Sequence, residues 1–229
     1  MWWFGGLHDN LITAFRRTHL KSFPGIILDA GCGTGGLLRK LAEFLPEFIA
    51  IGLDVDEMAC QMAYSKSGLS VCCGNANRLP FPEASLSAIF SADVLVHGGV
   101  DQILALQSFH RCLQPGGILV LNLPAYQWLL SRHDRAVHNV RRYTSKRIRE
   151  LLIAVGFADV QTTYWNTILF PLMVLDRIFL PRAGDSDVRS YPRPVETTFR
   201  KIMRFENVLL SRGLKLPYGG SVIATAVKK

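Results

Sequence analysis

Asp29 and the glycines at 31, 33, 35 and 36 are the first residues whose types and spacing could hold a ligand. Glycine allows φ > 0 and lets a ligand touch the backbone, while a carboxylate two residues ahead of the first glycine offers a charged anchor. Asp54, 21 residues after Gly33, stands where a carboxylate can accept hydrogen bonds from both hydroxyls of a ribose. His97 is a candidate general base, because imidazole titrates near ~6.5, or else a residue that shapes the site by packing. His133, Asp134 and His138 form a second polar group. There an acid could orient His133 as a base, the trio could hold a metal, or it could brace the neighbouring Arg141, Arg142 and Tyr143. With His138, those three are candidates for substrate binding, since guanidinium forks take carboxylate or phosphate at two points.

These residues need elements to place them. Ile26–Asp29 reads as a buried strand running into the glycine turn, and Leu37, Leu38, Leu41 and Phe44 continue at helical spacing until Pro46. Strand two covers 49–53, followed by a helix at 57–66 with Gly68 beyond it. A short strand follows at 70–73, then strand four at 86–91, a helix at 100–112 and, after the Gln-Pro-Gly-Gly turn at 114–117, a strand at 118–123. Strand–helix alternation with right-handed crossovers predicts an α/β, doubly wound, mostly parallel sheet. Leu7, Leu11, Ile12 and Phe15 add a leading amphipathic helix. Past Pro124 come a helix capped by Thr144 or Ser145, a strand at 157–164 and a last strand, Ser221–Val227. The intervening 165–219, with helices expected near 168–180 and 196–212, reads as a cap, lid or binding insert. Its Tyr164, Trp165, Phe170 and Phe179 could roof an apolar acceptor or pack a core of their own.

A dinucleotide and S-adenosylmethionine both fit such a glycine corner. The chain lacks the Gly-x4-Gly-Lys-Ser/Thr phosphate loop. Asp29 would repel a pyrophosphate but can help anchor an ammonium group. Asp54 suits either ligand.

Asp29-Ala-Gly-Cys-Gly-Thr-Gly35 resembles the first motif of class I S-adenosylmethionine-dependent methyltransferases. The resemblance continues through Gly52-Leu-Asp-Val-Asp56, Gly74-Asn-Ala-Asn-Arg-Leu-Pro-Phe81, Ala92-Asp-Val-Leu-Val-His97 and Leu113-Gln-Pro-Gly-Gly-Ile-Leu119, covering about 26–125. It implies S-adenosylmethionine as cofactor, held by Asp29, Gly31, Gly33, Asp54, Asn75, Ala76 and Ser91. It also implies a Rossmann-like, seven-stranded sheet whose last strand is antiparallel, with the helical insert before it. The family usually has Asp where Asn75 stands, to accept from the adenine amino group. An amide oxygen accepts without charge assistance, so weaker adenine anchoring is expected. Trp2-Trp-Phe4, Leu123-Pro-Ala-Tyr126, Ser131-Arg-His-Asp134 and His138-Asn-Val-Arg-Arg-Tyr-Thr144 resemble a bacterial subset of these enzymes. In that subset the segment looks like the cover of the methyl-transfer site, and the enzymes accompany glycan, lipid-linked and natural-product pathways.

The expected organisation is one methyltransferase domain over 1–229, with a cofactor half at 1–125 and an acceptor half at 126–229. Residues 1–131 hold 8 Lys/Arg against 10 Asp/Glu, and residues 132–229 hold 18 against 8. The formal charge of +8 is therefore an excess confined to the acceptor half, pointing to a small-molecule acceptor that is acidic or partly apolar. With no Asn-Pro-Pro-Tyr type of motif and no separate recognition module, no nucleic-acid partner is expected. The odd count of five cysteines, without zinc-site spacing, and the absence of a visible signal peptide suggest the cytoplasm and no metal. Two other readings stay open: a non-catalytic cofactor-binding partner subunit, and a membrane-surface enzyme using Ile168–Leu180 on a lipid-linked acceptor.

Overall fold

The computed structural model describes residues 2–18, 25–179 and 192–229. Met1 and residues 19–24 and 180–191 lie outside the described residues, as do the side chains of residues 2 and 176–179, Phe179 among them. Leu180, at the end of the expected insert helix, therefore falls outside, with Arg182 and Arg189 of the basic half.

The strands are β1 (Ile26–Ala30), β2 (Ile49–Asp54), β3 (Val71–Cys73), β4 (Leu86–Ala92), β5 (Leu113–Pro124), β6 (Phe157–Trp165) and β7 (Ser221–Lys228). Among the described residues they form one seven-stranded sheet in the order β3-β2-β1-β4-β5-β7-β6. Pairing is parallel from β3 to β5, and β7 runs antiparallel to both β5 and β6. The carboxyl ends of β1, β4, β5 and β6 therefore share one edge with the start of β7. The connections reverse between β1 and β4, the place where open α/β sheets leave a ligand crevice.

The expected turn at 114–117 is instead a bulge within β5. The partner register jumps from Leu86–Leu113 to Ala88–Ile118, and Gly116 takes φ +78°. The helices are α1 (Trp2–Thr18), α2 (Gly36–Phe44), α3 (Glu57–Ser67), α4 (Gln102–Cys112), α5 (Arg132–Ala136), α6 (Ser145–Val155), α7 (Phe170–Phe179) and α8 (Arg193–Ser211). Local chemistry sets their ends. The Asp56 carboxylate accepts from the N–H groups of Met58 and Ala59, and Asp101 does the same for Ile103 and Leu104. Thr144 caps α6, which stops at Gly156 with φ +109°.

Each face of the sheet carries its own core. One contains Leu28, Ile89, Leu106, Phe109, Tyr143, Ile148 and Leu152, bringing α4 and α6 onto the strands. The other joins Leu7, Leu11 and Phe15 of α1 with Leu37 and Leu41 of α2 and Met203 and Leu210 of α8. Each such fully buried large side chain contributes ~1.5–3 kcal/mol relative to exposure. Helix α8, part of the expected insert, is thus core layer laid against α1. Among the described residues no helix is long and apolar enough to cross a membrane.

Candidate active site

The glycine turn is closed by hydrogen bonds from its own backbone. The N–H groups of Gly31 and Cys32 both donate to Leu53 O, at 2.7 and 2.9 Å. Gly31 (φ +83°) and Gly33 (φ +51°) are left-handed, and a Cβ on Gly31 would stand 2.1 Å from Val94 Cγ2. Gly33 has nothing within 4 Å of such an added carbon, so its backbone is open to a ligand. Gly33 N–H donates to Asp54 Oδ2 at 2.8 Å and Asp56 N–H to Asp54 Oδ1 at 3.1 Å, which ties the end of β2 to the turn.

Behind the turn, Asp29 is buried and, among the described residues, its Oδ2 has no hydrogen-bond partner. Burial pushes its carboxyl up to about 7, a backbone hydrogen bond from Leu38 opposes that, and the charge of Asp54 adds to it. Ser91 at the end of β4 is also buried with an unpartnered Oγ. Unpaired polar atoms of this kind are costly in a folded core and cluster where a ligand supplies the missing partner. A group with an ammonium, a ribose and an adenine therefore fits this edge, with Asp29, the Gly31–Gly33 backbone and Asp54 as its holders. Ala76 is buried there, while Asn75 is exposed and its Oδ1 already accepts from Asn77 N–H at 2.9 Å.

The acceptor-half candidates have a different fate. Arg142 is buried and its guanidinium meets Asp134 at 2.8 Å, with further bonds to Asp134 Oδ1 at 2.9 Å and Ala125 O at 3.1 Å. Burial alone would raise the Asp134 carboxyl, yet Ser131 N–H and Arg142 together hold it below the usual carboxylate range. The same carboxylate closes a capping box with Ser131 at the start of α5. Arg141 donates to Leu95 O and Val100 O at 3.1 and 2.6 Å. Tyr143, fully buried, donates to Leu95 O at 3.1 Å and Gln102 Oε1 at 2.9 Å. In this arrangement Arg141, Arg142 and Tyr143 brace the loop, one of the roles the sequence left open for this group. Asp134 orients Arg142 rather than an imidazole, because the guanidinium offers two parallel donors.

His97 follows β4, its backbone bridging to Asn139, and among the described residues its imidazole has no carboxylate partner. His133 lies in α5 and is half-buried, while His138 is exposed at φ +59°, its carbonyl accepting from Gly98 N–H at 2.9 Å.

Two features escaped sequence reading. Asp93, directly after β4, has φ +60°, and its Oδ1 accepts from Asn122 Nδ2 of β5 at 2.8 Å. Tyr126, after β5, also has φ +60° and stacks on Tyr164 at 5.4 Å and Trp128 at 5.8 Å, with Phe170 at 5.6 Å. Burial and the Tyr164 hydroxyl push the Tyr126 phenol up to about 12. Phe170 reaches on to Tyr218, so an aromatic wall lines the same sheet edge over the ends of β5 and β6 and the start of β7. Trp165, by contrast, is fully buried against Trp3 and belongs to the core. Of this wall the sequence offers Tyr164 and Phe170 as a roof for an apolar acceptor; Tyr126, at a positive φ of the kind that gathers at functional sites, is not singled out there.

Residues 27–117 match the family described as methyltransferase domain. The chain is 30% identical over 139 residues to 24-methylenesterol C-methyltransferase 2 of Oryza sativa, covering 54% of this chain and 37% of that protein. It is 29% identical over 148 residues to malonyl-[acyl-carrier protein] O-methyltransferase 1 of Coxiella burnetii, covering 63% of this chain and 51% of that one. The chain thus spans about half or less of the curated relatives it matches. Among solved structures it resembles the YcgJ protein of Bacillus subtilis, with TM-score 0.64, 18% identity and coverage of 97% and 99%. It also resembles a Haemonchus contortus phosphoethanolamine N-methyltransferase 2 solved with S-adenosylhomocysteine, at TM-score 0.62, 16% identity and coverage of 96% and 52%. Residues 27–117 are accordingly similar to a methyltransferase domain, and the chain built around them has the fold seen in solved S-adenosylmethionine-dependent methyltransferases.

Proposed function

We propose that this protein is an S-adenosylmethionine-dependent methyltransferase of a small, partly apolar acceptor, working in the cytoplasm by in-line transfer to O, N or C. The unpartnered Asp29 Oδ2 beneath an open Gly33 backbone carries the cofactor assignment. When bound there, the sulfonium supplies a methyl group already activated for transfer. The chain's own task is to align the acceptor, exclude water and manage its proton. Tyr126, Trp128, Tyr164, Phe170 and Tyr218 offer apolar faces for that alignment. An acidic acceptor now rests only on the charge of the acceptor half, because Arg141 and Arg142 are committed to the protein itself.

The test is to incubate the protein with methyl-labelled S-adenosylmethionine and a fractionated small-molecule extract. Label should appear in low-mass, partly apolar products; label confined to nucleic acid would sink this reading. A membrane-surface enzyme is the second reading, supported by exposed Trp128 (60%), Leu172 (53%) and Leu175 (52%), the two leucines lying in the positive half. Co-sedimentation with anionic vesicles at low salt is its expected sign, and failure to sediment rejects it.

A further inference from the structure

Asp93 has no role in the cofactor cradle and none in the brace, yet the fold holds it firmly. Its φ of +60° is a backbone state that glycine, asparagine and aspartate tolerate, so the turn suits the residue and leaves the placement of its carboxylate to be explained. Asn122 grips it twice: Asp93 N–H donates to Asn122 O at 3.0 Å, and Asn122 Nδ2 donates to the carboxylate at 2.8 Å. The next residue, Val94, presses on Gly31, so the Asp93 turn abuts the glycine corner on one side and the end of β5 on the other. The residue is only half-buried and can meet a small molecule.

We propose that Asp93 faces the transferred methyl and receives the proton of the acceptor atom. This rests on the methyltransferase reading above. As the acceptor's lone pair forms the bond to the methyl carbon, the C–S bond breaks with its electrons going to sulfur. The acceptor's proton passes to the Asp93 carboxylate, leaving a neutral thioether and a carboxylic acid that later yields its proton to water. The acceptor atom is then a hydroxyl, an amine or an activated carbon. A carboxylate nucleophile carries no proton at neutral pH and would be repelled by Asp93.

The surroundings suit that task. Burial pushes the Asp93 carboxyl up to about 6, the bond from Asn122 and the charge of Arg142 oppose this, and Asp134 reinforces it. Because Arg142 is paired with Asp134, the acid offsets part of its pull on Asp93. A proton acceptor poised near neutral pH is what general-base catalysis requires.

The test needs no acceptor. Sinefungin carries an ammonium where the cofactor carries its methyl sulfonium, whereas S-adenosylhomocysteine carries a neutral sulfur there. Calorimetry at pH 8 should show sinefungin preferred by about tenfold, the size of one charge-assisted hydrogen bond. That preference should fade below pH about 6 as Asp93 protonates. Asp29 titrates alike with both ligands and drops out of the ratio. Asp93→Asn keeps the shape and the Asn122 bond, and should bring the ratio to about one. If both ligands bind but Asp93→Asn keeps the preference, or His97→Ala abolishes it instead, the Asp93 assignment is overturned and the cofactor reading survives. If neither ligand binds the wild-type protein, both fall.

Discussion

The cofactor corner and the acceptor cover are both polar, but they use polarity in opposite ways. At the corner, Asp29 Oδ2 and Ser91 Oγ are buried with no partner, and Gly33 leaves its backbone open. In the cover, Arg141, Arg142, Asp134 and Tyr143 satisfy one another or nearby carbonyls. A group left unpaired on a rigid sheet edge is suited to a ligand; a group paired by its neighbours holds a loop in place. Residue type alone does not separate the two, since both regions present acids and hydrogen-bond donors.

The largest effect that would sharpen this contrast is on stability. Arg142→Ala strands the buried Asp134 charge and should cost about 3–5 kcal/mol in urea unfolding, whereas replacing both partners with apolar residues should cost far less. A loss below about 1 kcal/mol, the range of an exposed pair, would mean that the cover is not braced this way. Next in size is Gly31→Ala, whose methyl would collide with Val94 at 2.1 Å in a left-handed turn. Affinity for S-adenosylhomocysteine should fall by about 100-fold, the order of a clash of a few kcal/mol, with partial recovery in Gly31→Ala/Val94→Ala. Asp54→Asn should weaken the same ligand by about tenfold, through the lost charge on Gly33 N–H and on the ribose. Asn75→Asp should strengthen it only by about threefold, because a charged acceptor improves a single exposed contact.

The sequence made the corner legible because strand, turn and helix are contiguous there. Asp29, Gly31, Gly33 and Asp54 lie within 26 residues, and the hydrophobic periods around them agree with the structure. The seven strands and the antiparallel β7 followed from the family resemblance and match the observed sheet. The cover was not legible in the same way. Whether Arg142 points to a substrate or to Asp134 depends on a loop path that no period encodes. Asp93 stood inside a motif already quoted, but its left-handed turn depends on Asn122, 29 residues away on the next strand. Helix α8 read as insert because aromatics and arginines dominate its segment, yet Met203, Glu206 and Leu210 form a buried stripe against α1.

One pH experiment bears on the corner, with Asp93 adding a loss of the same sign up to about pH 6. Asp29 is held at about 7 in the folded chain, against about 3.9 when unfolded. The folded state therefore binds the proton more tightly, and the ligand-free protein should lose stability as pH rises from about 4 to about 7. A ligand ammonium favours the ionised carboxylate, so affinity should rise over the upper part of that window and beyond it.

The most direct measurement is calorimetric titration of the protein with S-adenosylmethionine and, separately, with NAD, each at pH 6 and pH 8. The account predicts that S-adenosylmethionine binds and NAD does not, that binding tightens toward pH 8, and that Asp29→Asn removes most of this pH dependence, Asp93 supplying the smaller remainder. Preferential binding of NAD, or equal affinity for S-adenosylmethionine at both pH values in wild type and Asp29→Asn, would contradict it.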